Sequence, residues 1–141
     1  MLKELKMTII DTHSHLYLPE LDPDRPGMIE RAEKEGVTKI LMPAIDHTTH
    51  EAMLKLENSD PARYKSMMGL HPCSVKTGYR EELKTARDYL EERTFVAVGE
   101  IGLDFYWDKS FTDQQYKAFH EQIEWALHFD IPIVIHSRES T

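Results

Sequence analysis

The sequence has one cysteine, no long apolar run and no excess of basic residues, and each shortage excludes a class of protein. Cys73 has no second cysteine with which to form an internal disulfide, which agrees with a reducing compartment. No stretch approaches the roughly 18 apolar residues that a membrane span needs, and the first ten residues lack the apolar core of a secretory signal. We therefore expect a cytoplasmic protein that does not enter a membrane.

The net charge of −8 disfavours a nucleic-acid partner held mainly by a basic surface. Neutralisation of phosphates by Lys and Arg supplies most non-specific binding of that kind. A phosphate substrate is still compatible with this charge where bound metal ions meet it, because such cations reverse the sign of a site. A hydrophobic content of 40% over 141 residues is enough for the core of one domain.

Five short runs rich in Ile, Val and Met alternate with four stretches of helical character. The predicted strands are residues 7–11, 37–43, 64–70, 95–103 and 131–136. The predicted helices are residues 24–36, 49–59, 80–92 and 112–130, the last with Thr112 as a candidate cap. Apolar strands that alternate with helices predict an α/β fold, with a parallel sheet covered on both sides or closed into a barrel.

Histidines, acids and one arginine follow four of these strands at their carboxyl ends. They are His13 and His15 after the first strand, His71 after the third, Glu100 and Asp104 at the fourth, and His136 and Arg138 at the fifth. Ligands of parallel α/β folds bind at this edge of the sheet, so we expect these side chains to meet there. Residues i and i+2 of a strand share a face, which directs both members of the H-x-H pair to one side. Imidazoles with carboxylates suit Zn, Mn, Fe or Ni better than Ca.

Each of these residues also has an ordinary structural interpretation. An isolated H-x-H pair arises by chance, and His71 before Pro72 can be a loop residue. Glu100 could pair with Arg138 at the rim, but a carboxylate within an apolar run is costly to bury without a partner. The remaining histidines are expected at the surface or in packing, with two before a helix and two inside one: His47, His50, His120 and His128.

Four motifs together resemble the N-terminal half of the TatD-related metal-dependent deoxyribonucleases. They are "IDTHSHL" (10–16), "GLHP" (69–72), "VAVGEIGLDFYW" (96–107) and "IPIVIHSR" (131–138), in this order. The resemblance implies a (β/α) TIM-barrel type metal-dependent hydrolase, of which residues 7–141 form the N-terminal part. Residues 1–6 are then a short N-terminal extension.

The resemblance also implies a centre of two divalent ions, drawn from Zn, Mn, Mg, Fe or Ni. His13 and His15 would hold one ion, Glu100 would bridge both, and His136 would bind the second. Arg138 would contact the substrate phosphate together with His71 and Asp104, and the catalytic residues would be Glu100 and Arg138. The implied reaction is hydrolysis of DNA phosphodiester bonds, as a 3′ to 5′ exonuclease.

Two other functions fit the residues. An H-x-H pair with a bridging carboxylate also suits attack on a carbonyl, as in an amidohydrolase or lactonase. A half barrel without catalysis, used as an interaction module, is the third interpretation. Assays on phosphodiester, lactone and amide substrates would separate these functions.

A complete barrel of this type takes about 250 residues, whereas the sequence covers about the first five strands and four helices. The family's histidine after the sixth strand and aspartate after the eighth have no counterpart in it. We therefore expect an incomplete form that holds metal ions weakly and whose nuclease activity is very low unless the missing half is supplied. We also expect either self-association through the first and fifth strands or a second chain that completes the barrel.

Overall fold

A computed structural model of the chain describes residues 7–141. The extension expected at residues 1–6 lies outside the described residues. The strands are β1 (Ile9–Asp11), β2 (Val37–Met42), β3 (Tyr64–Ser66), β4 (Val98–Asp104) and β5 (Ile133–Arg138). The α-helices are α1 (Arg25–Lys34), α2 (His47–Ser59), α3 (Tyr79–Glu92) and α4 (Thr112–Phe129). Among residues 7–141, no helix has both the length and the apolar character that a membrane crossing requires.

All strand pairs are parallel, and their spatial order is their order in the chain. One sheet contains β1, β2 and β3, and a second contains β4 and β5. Backbone bonds join the two sheets: the Met68 amide donates to the Ala97 carbonyl (3.2 Å), and the Gly99 amide donates to the Met68 carbonyl (3.0 Å). A helix joins each strand to the next, as parallel pairing requires. The carboxyl ends of the five strands therefore lie along one edge.

The core lies between the sheets and the helices and is rich in methionine. Met42, Met53, Met67 and Met68 are fully buried. Their unbranched side chains fill irregular gaps between strands and helices. The buried face of α3 consists of Tyr79, Leu83, Ala86 and Leu90, at the spacing of one helical stripe.

Helix α2 begins two residues earlier than the apolar pattern predicts. Asp46 caps it: the Asp46 carboxylate accepts a hydrogen bond from the Thr48 amide (3.1 Å), and Thr49 completes a capping box. His47 therefore lies within the helix, and the prediction that it precedes the helix is wrong. His50 also lies within it, as the predicted bounds 49–59 require, and not ahead of it as its grouping with His47 had it. The capping residues carry the signal for this start, whereas the apolar period begins only after them.

The predicted cap of α4 is also wrong. Thr112 is the first residue of the helix, and Phe111 occupies the cap position without a side-chain hydrogen bond. The Thr112 hydroxyl instead donates to the carbonyl of Lys109 (2.8 Å), within the preceding turn. A threonine ahead of an apolar period is therefore compatible both with the cap position and with the first position of the helix.

His50 has the packing role expected for it. Its side chain is buried, and its ring meets that of Tyr89 edge to face at 5.4 Å. Neither ring nitrogen has a hydrogen-bond partner within residues 7–141. Burial lowers the pKa of His50, and the nearby charges of Glu82 and Asp46 oppose that shift while His47 adds to it. The other three histidines of this group, His47, His120 and His128, are exposed on helices.

Candidate metal centre

The centre of the site is the carboxylate of Glu100, which projects from the middle of β4 and is 5% exposed. One oxygen, Oε2, lies 3.1 Å from Nε2 of His13 and 3.4 Å from Nε2 of His15. The other, Oε1, lies 2.9 Å from Nδ1 of His136 and 3.8 Å from Nε2 of His71. The side chains expected to converge at the carboxyl edge therefore do so, with four imidazoles around one buried carboxylate.

The two histidines of the H-x-H pair lie just beyond β1, which ends at Asp11. The Asp11 carboxylate accepts a hydrogen bond from the His13 amide (3.0 Å), and the Ser14 amide donates to the carbonyl of Leu41 in β2 (3.1 Å). These bonds direct the segment along the sheet edge. The expectation that both imidazoles face one side holds, although the residues are not part of the strand from which it was argued.

The tautomer of His15 follows from its hydrogen bonds. The hydroxyl of Tyr17 donates to the carbonyl of Pro43 (2.6 Å), which can only accept. The same hydroxyl lies 2.9 Å from Nδ1 of His15 and has no second proton, so Nδ1 must be the donor. The lone pair of His15 is then on Nε2, the atom that faces Glu100. A partner that fixes the tautomer in this way is typical of metal-binding histidines.

His71 has the opposite tautomer. Its Nδ1 accepts a hydrogen bond from the Cys73 amide (3.0 Å), so its proton is on Nε2. Burial lowers the pKa of His71 to about 4, against the effect of the Glu100 charge, so the ring is neutral at neutral pH. The atom of His71 that faces the site is therefore an N–H donor without a lone pair. His71 is suited to bind an anion there rather than a metal ion.

His136 lies between two carboxylates. Its Nε2 is 2.7 Å from Oδ2 of Asp104, and its Nδ1 faces Glu100. A proton on Nε2 that is shared with Asp104 leaves the Nδ1 lone pair directed at Glu100, which is the carboxylate–histidine–metal arrangement of known centres. The ring of His71 packs against that of His136 at 4.5 Å and limits its rotation.

Arg138 pairs with Asp104 rather than with Glu100. Its Nε and Nη2 atoms lie 2.8 and 2.6 Å from Oδ2 of Asp104, and the rim pair considered between Arg138 and Glu100 is not formed. Asp104 is 2% exposed, so its carboxylate lies behind His136 and Arg138 instead of at the surface. The Arg138 side chain is 39% exposed, which leaves part of the guanidinium accessible to an anion.

Both acids of the site are ionised at neutral pH. Burial alone would raise the pKa of Glu100, but the close contacts with the surrounding imidazoles, His15 first among them, outweigh it and lower the pKa to about 2. Burial also opposes ionisation of Asp104, and its hydrogen bonds from Arg138 and His136 hold its pKa well below the ordinary range. The site therefore presents stable negative charge beside its imidazoles.

Two glutamines that the sequence analysis missed hold the backbone beside the site. Gln115 of α4 accepts from the Asp104 amide (2.8 Å) and donates to the Asp104 carbonyl (3.0 Å). Gln122, two turns later, accepts from the Leu70 amide (2.7 Å) and donates to the Leu70 carbonyl (3.3 Å). Both glutamines are buried. Polar residues seven apart on the apolar face of a helix were the available signal.

The donor set fits divalent transition-metal ions. Within the described residues, two groups have ligand atoms that all lie within 4.8 Å of one another: His13 with His15 and Glu100, and His71 with Glu100 and His136. Both groups share Glu100. Imidazole nitrogens beside a buried carboxylate are the ligands of Zn and related metals. The tautomer of His71 argues against it as a ligand in the second group.

Comparison with known proteins places these observations in a family. The family model described as "TatD related DNase" matches residues 10–141. The chain is 36% identical over 134 residues to "Uncharacterized metal-dependent hydrolase YabD" of Bacillus subtilis, with 94% of this chain and 52% of that protein covered. It is 30% identical over 132 residues to "3′-5′ ssDNA/RNA exonuclease TatD" of Pantoea sp., with 94% and 51% covered. The chain spans about half the length of the curated relatives it matches.

Solved structures show the same relationship. The crystal structure of YJJV, a TatD homologue from Escherichia coli, matches with a TM-score of 0.84 and 33% identity, over 94% of this chain and 51% of that chain. A TatD-family hydrolase from Entamoeba histolytica matches with a TM-score of 0.74 at 20% identity, which supports the fold alone. The expected α/β fold of the TIM-barrel type is confirmed by these matches and by the parallel strands.

Proposed function

Because the chain belongs to the family of TatD-related DNases, we propose that its carboxyl-edge site binds two divalent metal ions and hydrolyses DNA phosphodiester bonds from the 3′ end. The single observation that carries this proposal is the buried Glu100 carboxylate with four imidazoles around it. The 3′ to 5′ direction rests on the name of the Pantoea relative.

The proposed ligands divide around Glu100. His13 and His15 would hold one ion, His136 would hold the second, and Glu100 would contact both. The distances of these imidazoles from the two carboxylate oxygens support this division, since His13 and His15 face Oε2 and His136 faces Oε1. Nitrogen donors favour Zn, Mn, Fe or Ni over Mg, which prefers oxygen.

Divalent ions bound there would supply a Lewis acid and lower the pKa of a bound water toward neutral. The chain's own residues do the rest. The accessible side of the Arg138 guanidinium binds a phosphoryl oxygen and stabilises the charge that develops on it. The Nε2–H of His71 donates to a second oxygen of the same group.

Asp104 acts through these residues and not on the substrate. Its carboxylate orients His136 at 2.7 Å and Arg138 at 2.8 Å at the same time. The buried carboxylate of Asp104 therefore connects His136, the proposed metal ligand, with Arg138, which is proposed to bind the phosphate. This differs from the sequence-based expectation that Asp104 itself contacts the substrate.

The test is degradation of a single-stranded DNA oligonucleotide labelled at its 5′ end, with Mn²⁺ or Zn²⁺ present. We expect the chain to shorten the oligonucleotide slowly, one nucleotide at a time, and Glu100→Gln to abolish this. Glu121→Gln makes the same change on the exposed surface of α4 and should leave the activity intact.

Three outcomes would contradict the proposal. Unchanged cleavage by Glu100→Gln would remove Glu100 from the chemistry. Shortening from the 5′ end would reverse the proposed direction. Hydrolysis of a lactone or an amide, with no cleavage of phosphodiesters, would instead support the amidohydrolase or lactonase alternative.

A further inference from the structure

Two large aromatic side chains lie exposed in the loop between β4 and α4, two and three residues after the site residue Asp104. Tyr106 is 53% exposed and Trp107 is 71% exposed. Arg138 at the end of β5 lies against both rings, yet they remain this exposed within the described residues. We propose that Trp107, supported by Tyr106, stacks on a nucleobase of the substrate strand. This rests on the proposed function of the neighbouring site.

The aromatic pair shares its anchor with that site. The backbone amide of Tyr106 donates to Oδ1 of Asp104 (3.0 Å), while Oδ2 of Asp104 binds His136 and Arg138. Asp104 therefore holds the aromatic loop, the guanidinium and an imidazole in one arrangement. The position of Trp107 relative to the centre is set by a buried carboxylate rather than by the loop alone.

The Arg138 guanidinium links the rings to the phosphate position. Its central carbon lies 5.0 Å from the ring centroid of Tyr106 and 5.5 Å from that of Trp107, within the range of a cation–π contact. The two rings meet edge to face at 4.6 Å. An exposed indole face beside a half-exposed cation matches the two features of a nucleotide, a flat base and an anionic phosphate.

The charge of the chain supports a contact with the base. At a net charge of −8, a general basic surface cannot supply most of the affinity for a nucleic acid. Stacking of a base on an aromatic side chain depends little on charge and accepts every base. The occupant that fits is thus an unpaired nucleotide of a single strand, because the bases of a duplex already stack on one another.

A purely structural role for the rings gives a different expectation. If Tyr106 and Trp107 only held Arg138 in place, their loss would weaken the binding of the phosphate by Arg138 whether or not a base were present. A substrate whose terminal nucleotides are abasic, with the same phosphates, separates the two roles. Only the stacking role makes the effect of Trp107 depend on the base.

Tryptophan fluorescence gives a readout that needs no turnover. The sequence has two tryptophans, and Trp125 is buried, so an oligonucleotide that stacks on Trp107 should quench one of two emitters. The probe is a short oligothymidylate with phosphorothioate linkages, titrated in the presence of Mn²⁺. We expect this probe to quench the emission of Trp107 and its abasic counterpart to quench it much less. In Trp107→Phe, where only Trp125 emits, this quenching should be absent.

Kinetics on single-stranded DNA complete the test. We expect Trp107→Ala to lower kcat/KM about fivefold or more on a base-bearing 3′ end, mainly through KM, and to change it little on an abasic end. Trp107→Phe should recover much of the loss. The control is Leu127→Ala, which removes an equally exposed apolar side chain (71%) near the opposite end of α4 and should have no effect.

The outcomes separate this inference from the proposed function. Cleavage without quenching, or an equal loss on base-bearing and abasic ends, overturns the base contact and leaves the nuclease standing. Quenching without cleavage supports the base contact and refutes the proposed reaction. An oligonucleotide that is neither bound nor cleaved overturns both.

Discussion

Replacing Tyr17 by Phe tests how the site is prepared for metal, because it removes a single oxygen atom. That hydroxyl accepts a hydrogen bond from Nδ1 of His15 at 2.9 Å and donates to the carbonyl of Pro43 at 2.6 Å. Burial raises the pKa of Tyr17, so the hydroxyl keeps its proton at neutral pH. The donor and the acceptor in each of its two hydrogen bonds are therefore fixed. In Tyr17→Phe the ring still fills its buried position, but His15 is free to place its proton on Nε2 or to rotate.

The expected loss can be estimated from the two bonds. Removal of a hydrogen-bond partner behind a metal-binding histidine typically costs 10- to 100-fold in metal affinity, which is about 1.4–2.8 kcal/mol of binding free energy. The buried carbonyl of Pro43 also loses a donor, which lowers the free energy of unfolding by about 1–3 kcal/mol. The affinity should therefore fall more than tenfold in a chain that still folds.

The assay is a Zn²⁺ titration against a chromophoric chelator, with folding checked by circular dichroism. Tyr64→Phe is the matched control, since it removes a hydroxyl from another buried tyrosine, at the start of β3. We expect Tyr64→Phe to bind Zn²⁺ like the unsubstituted chain. An unchanged affinity in folded Tyr17→Phe would refute the argument that Tyr17 fixes the tautomer of a ligand.

Further predictions concern orientation, pH and assembly. Asp104→Asn should lower metal affinity or activity by about 10- to 100-fold because His136 loses the carboxylate that orients it. A metal titration and a nuclease assay in which Asp104→Asn matches the unsubstituted chain would contradict this. The pKa of buried His50 lies below its ordinary value near 6.5, so the unfolded chain takes up the proton first and the free energy of unfolding should fall as pH drops below about 6.5. Urea titrations should show a smaller fall in His50→Phe. Within the described residues β1 and β5 pair on one side only, with Ile10 and Ile135 exposed, so light scattering should show self-association; a monomer in dilute solution would oppose it.

The fold was largely predictable because its signals are local. Apolar runs of strand length and helical stretches between them follow from the sequence, and parallel pairing brings Glu100 and His136 to one edge whatever the details of packing. The boundaries were less predictable where two local signals compete. At α2 the capping box of Asp46 sets the start, although the apolar period begins later.

The support of the site was not predictable, because it depends on residues far apart in the chain. Gln122 contacts Leu70 across 52 positions, and the hydroxyl of Tyr17 meets Pro43 across 26. Nothing in the pattern around His71 reveals that its Nδ1 is occupied by a backbone amide. The sequence therefore predicts which residues meet, while their tautomers and ion pairs follow only from the folded arrangement.

The central claim is that Glu100 and its imidazoles form a metal centre, and calorimetric titration of Mn²⁺ or Zn²⁺ tests it most directly. The titration compares the chain with Glu100→Gln, which keeps the shape of the side chain but removes its charge, and with Glu121→Gln on the surface. We predict saturable binding by the chain and by Glu121→Gln, and its loss in Glu100→Gln. Equal binding by all three chains, or binding by none, would contradict the claim.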